Sequence, residues 1–213
     1  MIDKQEIVRL VLDKRYDILT HFAGKNSKKV IRYLVRLTYH RDELLRWQAI
    51  EALGYVAGAV ADRDPDFIRD LIRRFLWSMN DESGGNSWGA PEAIAEIICR
   101  RPDLFADLGP MMLSACLEEE FFQLGLLWAA GRVAGKVEYA KQMVPHIKDA
   151  LASPHPKVRG HAIWALGEIK EGIEAEQLTP MLKDNELFKI YMDGQLQEKT
   201  VAEIAKETME KLS

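Results

Sequence analysis

The chain has 213 residues, 47% of them hydrophobic and 29% charged, with 29 Lys+Arg against 33 Asp+Glu and a formal charge of −4. That length buries one substantial core or grows in one direction as a solenoid, and the acidic balance argues against a dedicated nucleic-acid binder. No apolar run approaches the roughly 18 residues of a membrane span, and the charge-interrupted N-terminus does not read as a signal peptide, so a soluble, cytoplasmic protein is expected.

Asp3 is placed to cap a first helix whose apolar side is Ile7, Val8, Leu10 and Val11. A second stretch, 16–22, stops at Gly24, and Ser27 is expected to cap a helix over 28–39 with Val30, Ile31, Leu34, Val35 and Leu37 near a 3.6 period. This is the basic part of the chain: residues 1–80 hold 15 Lys/Arg against 11 Asp/Glu, leaving 14 against 22 in the rest. Lys25, Lys28, Lys29, Arg32 and Arg36 crowd together there, a run whose ordinary reading is a solvated helix face.

A helix over 42–58 partners the one before it. Asp64-Pro65 then opens another, with Phe67, Ile68, Leu71, Ile72, Phe75 and Leu76 as its buried stripe. Its partner spans about 88–98. The segments 110–117 with 121–134, and 139–151 with 156–169, complete two further pairs joined by short loops. The turn 81–87, DESGGNS, is about five residues longer than its counterparts and carries Gly84-Gly85. After a short helix at 175–183, Phe188, Ile190 and Met192 alternate with Lys189, Tyr191 and Asp193, and Asp193-Gly194 signals a two-residue hairpin. Thr200 to Glu203 is a capping box that starts a last amphipathic helix over 201–212.

The pairs repeat one figure. Residues 155–169, HPKVRGHAIWALGEI, match 46–56, RWQAIEALGYV, and more loosely 88–97 and 123–133; the small residues Gly54, Ala95, Gly131 and Gly167 lie at steps of 41, 36 and 36. Helical spacing inside a period of that size marks stacked repeats. The expected fold is all-α, a right-handed superhelix of helical pairs with a small C-terminal β-hairpin. It forms one continuous domain: an N-terminal helical cap at 1–26, repeats over 27–185, and a hairpin-plus-helix cap at 186–213.

Arg159, Ala162, Ile163, Ala165, Leu166 and Gly167 resemble HEAT repeats of the short type first associated with phycobilisome lyases. The resemblance covers about 27–170 and implies outer helices on a convex surface and inner helices on a concave one. Asp42 and Arg46 match the acid and arginine that link neighbouring turns in such repeats. His155 replaces the acid in the fourth copy and Ser87 and Gln123 replace the arginine in the middle two, so a continuous ion-pair ladder is not expected. The stretch 82–97 also resembles a group of bacterial HEAT-repeat proteins without assigned activity. What these resemblances imply is a scaffold.

Residue chemistry offers little for catalysis. The five histidines make no His-Glu dipeptide of the kind that supplies di-iron ligands in hydroxylases of similar architecture. His155 and His161 fall on different faces of one helix. Cys99 and Cys116 are too far apart for a CxxC pair and sit in apolar helical context, where a reduced, buried thiol is expected. No phosphate-binding glycine loop, HExxH or GxSxG occurs. A HEAT-like DNA glycosylase is disfavoured by carboxylates outnumbering bases on the inner helices. A bilin lyase or isomerase, or a chromophore-binding protein, rests on the repeat resemblance alone. No cofactor or metal is expected.

Aligning the inner helices gives three columns: Gln48, Gly89, Gly125 and His161; Glu51, Glu92, Trp128 and Trp164; Tyr55, Glu96, Arg132 and Glu168. Spacings of three and four put all three on one face of each helix. Trp47 and Trp88 share another repeat position. Such rings either pack between repeats or, interleaved with Glu51, Glu92, Glu96 and Glu168, anchor a basic or amphipathic partner segment. The expected docking residues are therefore Glu51, Tyr55, Trp88, Glu92, Glu96, Trp128, Arg132, His161, Trp164 and Glu168 on a concave face, in a non-enzymatic adaptor.

Overall fold

The computed structural model describes residues 3–80 and 89–212. Helices dominate: α1 (Lys4–Leu12), α2 (Tyr16–Leu37), α3 (Glu43–Ala61), α4 (Pro65–Met79), α5 (Ala90–Arg100), α6 (Pro102–Phe105), α7 (Gly109–Glu118), α8 (Gln123–Val133), α9 (Val144–Asp149), α10 (Pro156–Ile169) and α11 (Val201–Leu212), with strands β1 (Leu187–Met192) and β2 (Gln195–Thr200) before the last. The extended turn at 81–87 and Trp88 lie outside the described residues.

The helix starts follow from their caps. Carboxylates of Asp3, Asp42 and Asp64 accept the backbone N–H groups of Glu6, Leu45 and Phe67 at 2.9, 2.8 and 3.1 Å. The break inside α2 is at Asn26, whose φ of −155° and ψ of 79° are not helical, and Asn26 rather than Ser27 caps the second half by accepting from the Lys29 N–H at 3.0 Å. The third outer helix, α7, forms where expected, and the fourth is shorter than expected. Where a helix over 139–151 is predicted, a 3-10 stretch (Glu138–Met143), the brief α9 and another 3-10 turn (Ala150–Ala152) follow each other. Pro145 lies in the first turn of α9, where its missing N–H costs nothing, but the same residue would break a helix that began six residues earlier. The segment Ala175–Lys183 is wholly 3-10, with Pro180 inside it.

Inner helices α3, α5, α8 and α10 stack in order, each against the next. Small residues set how closely they approach. A Cβ on Gly54 would stand 3.0–3.2 Å from the Glu96 backbone and Cβ, and one on Gly131 would stand 2.7 Å from the Trp164 ring and 3.0 Å from the Ala165 Cα. The period read from these residues is thus the spacing of helix contacts. At the end of the stack Gly167 meets Thr208 of α11 in the same way, which makes α11 the cover of the last repeat.

Arg159, the best-matched arginine of the repeat figure, is nearly buried and donates to Asp184 at 2.8 Å, Glu186 at 2.5 Å and the Ser153 carbonyl at 2.8 Å. It fixes the chain at the point where β1 begins. Arg46 pairs only loosely, at 3.6 Å, with Glu43 of its own helix.

The strands pair antiparallel with Leu187 opposite Thr200 and Met192 opposite Gln195. Asp193 and Gly194 have φ of +52° and +72°, the conformation a two-residue type I′ turn requires. Thr200 and Glu203 form the reciprocal capping box at the start of α11, each accepting the other's backbone N–H.

Candidate functional site: the inner face and its remaining cleft

The inner helices curl so tightly that repeats one, three and four meet. Trp47 of α3 lies 4.8 Å, ring to ring, from Trp128 of α8, and Lys157 at the start of α10 reaches Glu43 at the start of α3 at 2.9 Å. The hairpin then lies across what is left. Tyr191 stacks on Trp47 at 5.2 Å with an interplanar angle of 1°, and Trp128 stacks on Trp164 at 6.1 Å and 23°. The Trp128 indole N–H donates to the Tyr191 carbonyl at 2.8 Å. The hydroxyls of Tyr191 and Tyr16 both donate to one oxygen of Glu51, at 2.6 and 3.0 Å, and Lys14 reaches the Gly194 carbonyl from α1's end. The hairpin is therefore more than an end cap: it lines the concave side from the fourth repeat back to the first.

This corrects the expected docking surface. Trp128 and Trp164 are 3% and 6% exposed, Glu96 and His161 are buried, and none of the four stands on an open concave surface. His161 sits under Phe188 of β1, with its Nδ1 2.7 Å from the Lys157 carbonyl oxygen, and burial lowers its pKa to about 4. Its column is no groove wall at all: a Cβ on Gly125 would stand 2.9 Å from the Pro91 ring, so these residues face the neighbouring helix. Glu92 points toward the same contact. Burial raises its carboxyl pKa, and its Oε2 has no hydrogen-bond partner among the described residues. Tyr55 remains partly exposed at the rim, held by the Arg100 guanidinium 3.5 Å over its ring.

The carboxylates are mostly spent internally. Glu96 takes Arg132 through two contacts, at 2.6 and 3.2 Å, and Glu168 takes Lys211 of α11. Burial lowers the Arg132 pKa and the hydrogen bond to Glu96 raises it; the net shift is upward. The phenols of Tyr16 and Tyr191 are pushed well above their ordinary range, first by burial and then by the Glu51 charge, so they remain donors.

One cleft of about 260 Å³ stays open beside the hairpin turn. The edges of Trp128 and Trp164 and the Tyr191 ring line it, with Glu51, Glu96, Glu168 and Asp193 set against Arg132 and Lys211. Four carboxylates against two cations leave it negative. Its volume is below the roughly 300–1,000 Å³ of ordinary ligand sites, so it admits one long side chain rather than an extended chromophore.

Neither cysteine has the character of a nucleophile. Burial pushes the Cys99 thiol up to about 11 and the Cys116 thiol higher still, and Cys99 Sγ donates to the Arg132 carbonyl at 2.8 Å. Among the described residues no group of three or more His, Cys, Asp or Glu is arranged to hold a metal ion, and no helix is long and apolar enough to cross a membrane.

No family model matches the chain. A protein of Archaeoglobus fulgidus described as "Uncharacterized protein" is 31% identical over 170 residues, which are 76% of this chain and 85% of the relative. The chain belongs to the family of that relative. Helical pairs stacked at steps of 41, 36 and 36 residues, with small residues at the contacts, define its architecture. It is a HEAT-like repeat protein.

The crystal structure of an engineered protein covers 100% of this chain and 97% of its own, with a TM-score of 0.55 at 16% identity, a likeness of fold alone. The archaeal HEAT-like repeats protein from Thermococcus onnurineus NA1 covers 100% and 81%, with a TM-score of 0.42 at 16% identity, too loose for any detail of this HEAT-like protein to be read from it. The relative is archaeal, whereas the resemblance of residues 82–97 pointed to a bacterial group.

Sequence reasoning missed Tyr191 and Trp47 as the centre of the inner face. Strand alternation puts Tyr191 on the side opposite Phe188 and Ile190, yet all three are buried, because the hairpin is sandwiched between α10 and α3. The usable signal was Trp47, an indole outside the chosen columns that had no assigned neighbour.

Proposed function

We propose that this HEAT-like protein is a non-enzymatic interaction scaffold that takes a basic side chain of a partner segment into the cleft beside the hairpin turn. The observation that carries the reading is that cleft itself. The hairpin closes over the inner face but leaves Trp128 and Trp164 lining a cleft with Glu51, Glu168 and Asp193. A lysine or arginine entering there meets carboxylates and ring π-density together. The ring contact is worth about 0.5–2 kcal/mol and each rim ion pair about 0.2–1 kcal/mol. The partner's remaining contacts fall on the rim, near Tyr55.

An arginine-rich peptide, titrated while tryptophan emission is followed, tests this. Trp128 and Trp164 form the wall, so entry of a guanidinium quenches or shifts their emission. Glu168→Gln and Asp193→Asn each remove a carboxylate without enlarging a side chain, and Asn is at home in the left-handed backbone of Asp193. Saturable change in the parent and at least a severalfold weaker response in both variants support the reading. An equal response from all three proteins, or from a glutamate-rich peptide, would overturn it. Mass spectrometry of proteins that copurify from the native host then identifies the partner.

A further inference from the structure

The basic run read from the sequence as a solvated face has a second wall. Lys28, Arg32 and Arg36 form an i, i+4, i+8 stripe along the second half of α2, and across from them α4 presents Arg73 and Arg74. Between the two outer helices runs an open groove of about 1110 Å³. Its floor is apolar: Ile31, Leu71 and Phe75 are buried there, with Val35 and Phe67 half-buried beside them. Among the described residues one carboxylate lines it, Asp70, and that one is engaged by Arg73 at 3.1 Å. Among the described residues Lys28, Arg32 and Arg36 have no ion-pair partner. At one end stand Trp77, 70% exposed, and Tyr39, 43% exposed. They fall near the C-terminal ends of consecutive outer helices, so the two rings mark the same edge of the stack.

We propose that this outer groove docks an acidic amphipathic helix of a partner protein. The apolar face of such a helix packs on the Ile31–Leu71–Phe75 floor, its glutamates meet the arginines of both walls, and one apolar residue closes on Trp77. A groove between two helices accepts a third helix laid along it, and the anchor pattern is i, i+3/i+4, i+7. Charge complementarity chooses this occupant: among the described residues five cations stand against one paired acid, which attracts an acidic segment, repels a basic one and gives a neutral one no such gain. A nucleic acid fits less well, because a phosphate chain needs donors along its path and the floor offers none. The surface is separate from the inner cleft and selects the opposite charge, so either proposal can fail without the other.

The test uses a fluorescein-labelled peptide of about 16 residues, roughly 24 Å as a helix, with leucine and phenylalanine at helical spacing and glutamate elsewhere. Fluorescence anisotropy compares it with the same peptide carrying lysine for glutamate and with a single-stranded DNA. The variants are Arg32→Glu with Arg36→Glu, and Trp77→Ala, all at exposed positions, with thermal melts to confirm that each stays folded. Expected are binding of the acidic peptide alone, at least about tenfold weaker binding in each variant, and weakening by salt. Binding of the lysine peptide as tight as the acidic one, or acidic-peptide binding indifferent to the variants, would refute the groove. Tighter binding of DNA that is lost in Arg32→Glu/Arg36→Glu would make it a nucleic-acid surface instead. Residues 117–121 carry three glutamates between Leu117 and Phe121, so sedimentation of the protein alone is the last arm: concentration-dependent association abolished by the same variants would overturn the partner in favour of a second copy.

Discussion

Replacing Trp128 by alanine separates a packing role from a binding role. In this structure the ring contacts Trp47 and Trp164, is 3% exposed, and donates its only N–H to the Tyr191 carbonyl. Removing a buried tryptophan costs about 3–5 kcal/mol, and the Tyr191 carbonyl, left without its donor in a closed site, adds to that by about 1 kcal/mol or more. For a chain of this size each kcal/mol moves the melting midpoint by about 2–4 °C, so Trp128→Ala should melt lower by roughly 8–24 °C. Thermal and urea unfolding followed by circular dichroism read this directly. Trp77→Ala is the control: an equally large ring is removed at 70% exposure, and the change should stay within about 0.5 kcal/mol. A Trp128→Ala midpoint within about 2 °C of the parent would mean that the ring is not core and that the hairpin does not close the inner face.

Two further outcomes follow from the same closure. His161 is buried neutral with its pKa lowered to about 4, against about 6.5 unfolded, so the unfolded chain binds the extra proton between those values. Stability should fall as pH drops from about 6.5 to about 4, by up to about 3 kcal/mol from this residue, and the difference in urea stability between parent and His161→Gln should shrink over that window; a constant difference would refute the assignment. A chain ending at residue 185 lacks the hairpin and α11, uncovering the tryptophans and Gly167, so it should bind the dye ANS strongly and melt lower than the full chain; weak dye binding would show that the repeats cover themselves.

Much of the fold was readable because it is local. The Asp3 and Asp64 caps, the Asp193-Gly194 turn and the 200–203 capping box each fix their element through neighbouring residues, and all formed where expected. The small-residue period was readable because glycine is where adjacent inner helices touch. Curvature was not. It depends on how far consecutive helices tilt, a sum over contacts between repeats that no single column records, and it decides whether Trp47 and Trp128 face a partner or each other. Glu51, Trp128 and Trp164 line one cleft, but the segment that fills the space between them comes from as far as 140 residues away along the chain, the separation of Tyr191 from Glu51. The basic outer groove was half visible: the α2 stripe stands out in the sequence, whereas Arg73 and Arg74 become its second wall only once α2 and α4 lie side by side.

Closure also constrains where any partner can act. A peptide seeking the full inner face must first lift the hairpin. That breaks the Trp128–Tyr191 hydrogen bond, the Tyr191–Trp47 stack, the Tyr191–Glu51 hydrogen bond and the Lys14 contact to the Gly194 carbonyl, and it works against the Arg159 anchor at the base of β1. Even at about 1 kcal/mol for each of five such contacts the penalty is about 5 kcal/mol, which lowers apparent affinity by nearly four orders of magnitude. Docking at the rim cleft or in the outer groove carries no such penalty, because Glu168 and Asp193 at the one, and Arg32, Arg36 and Trp77 at the other, already stand in their final positions. Partner binding to this scaffold is therefore expected to leave the hairpin in place. Hydrogen exchange at the β1 and β2 amides should be no faster with either peptide bound than without it; faster exchange would show that the hairpin must open.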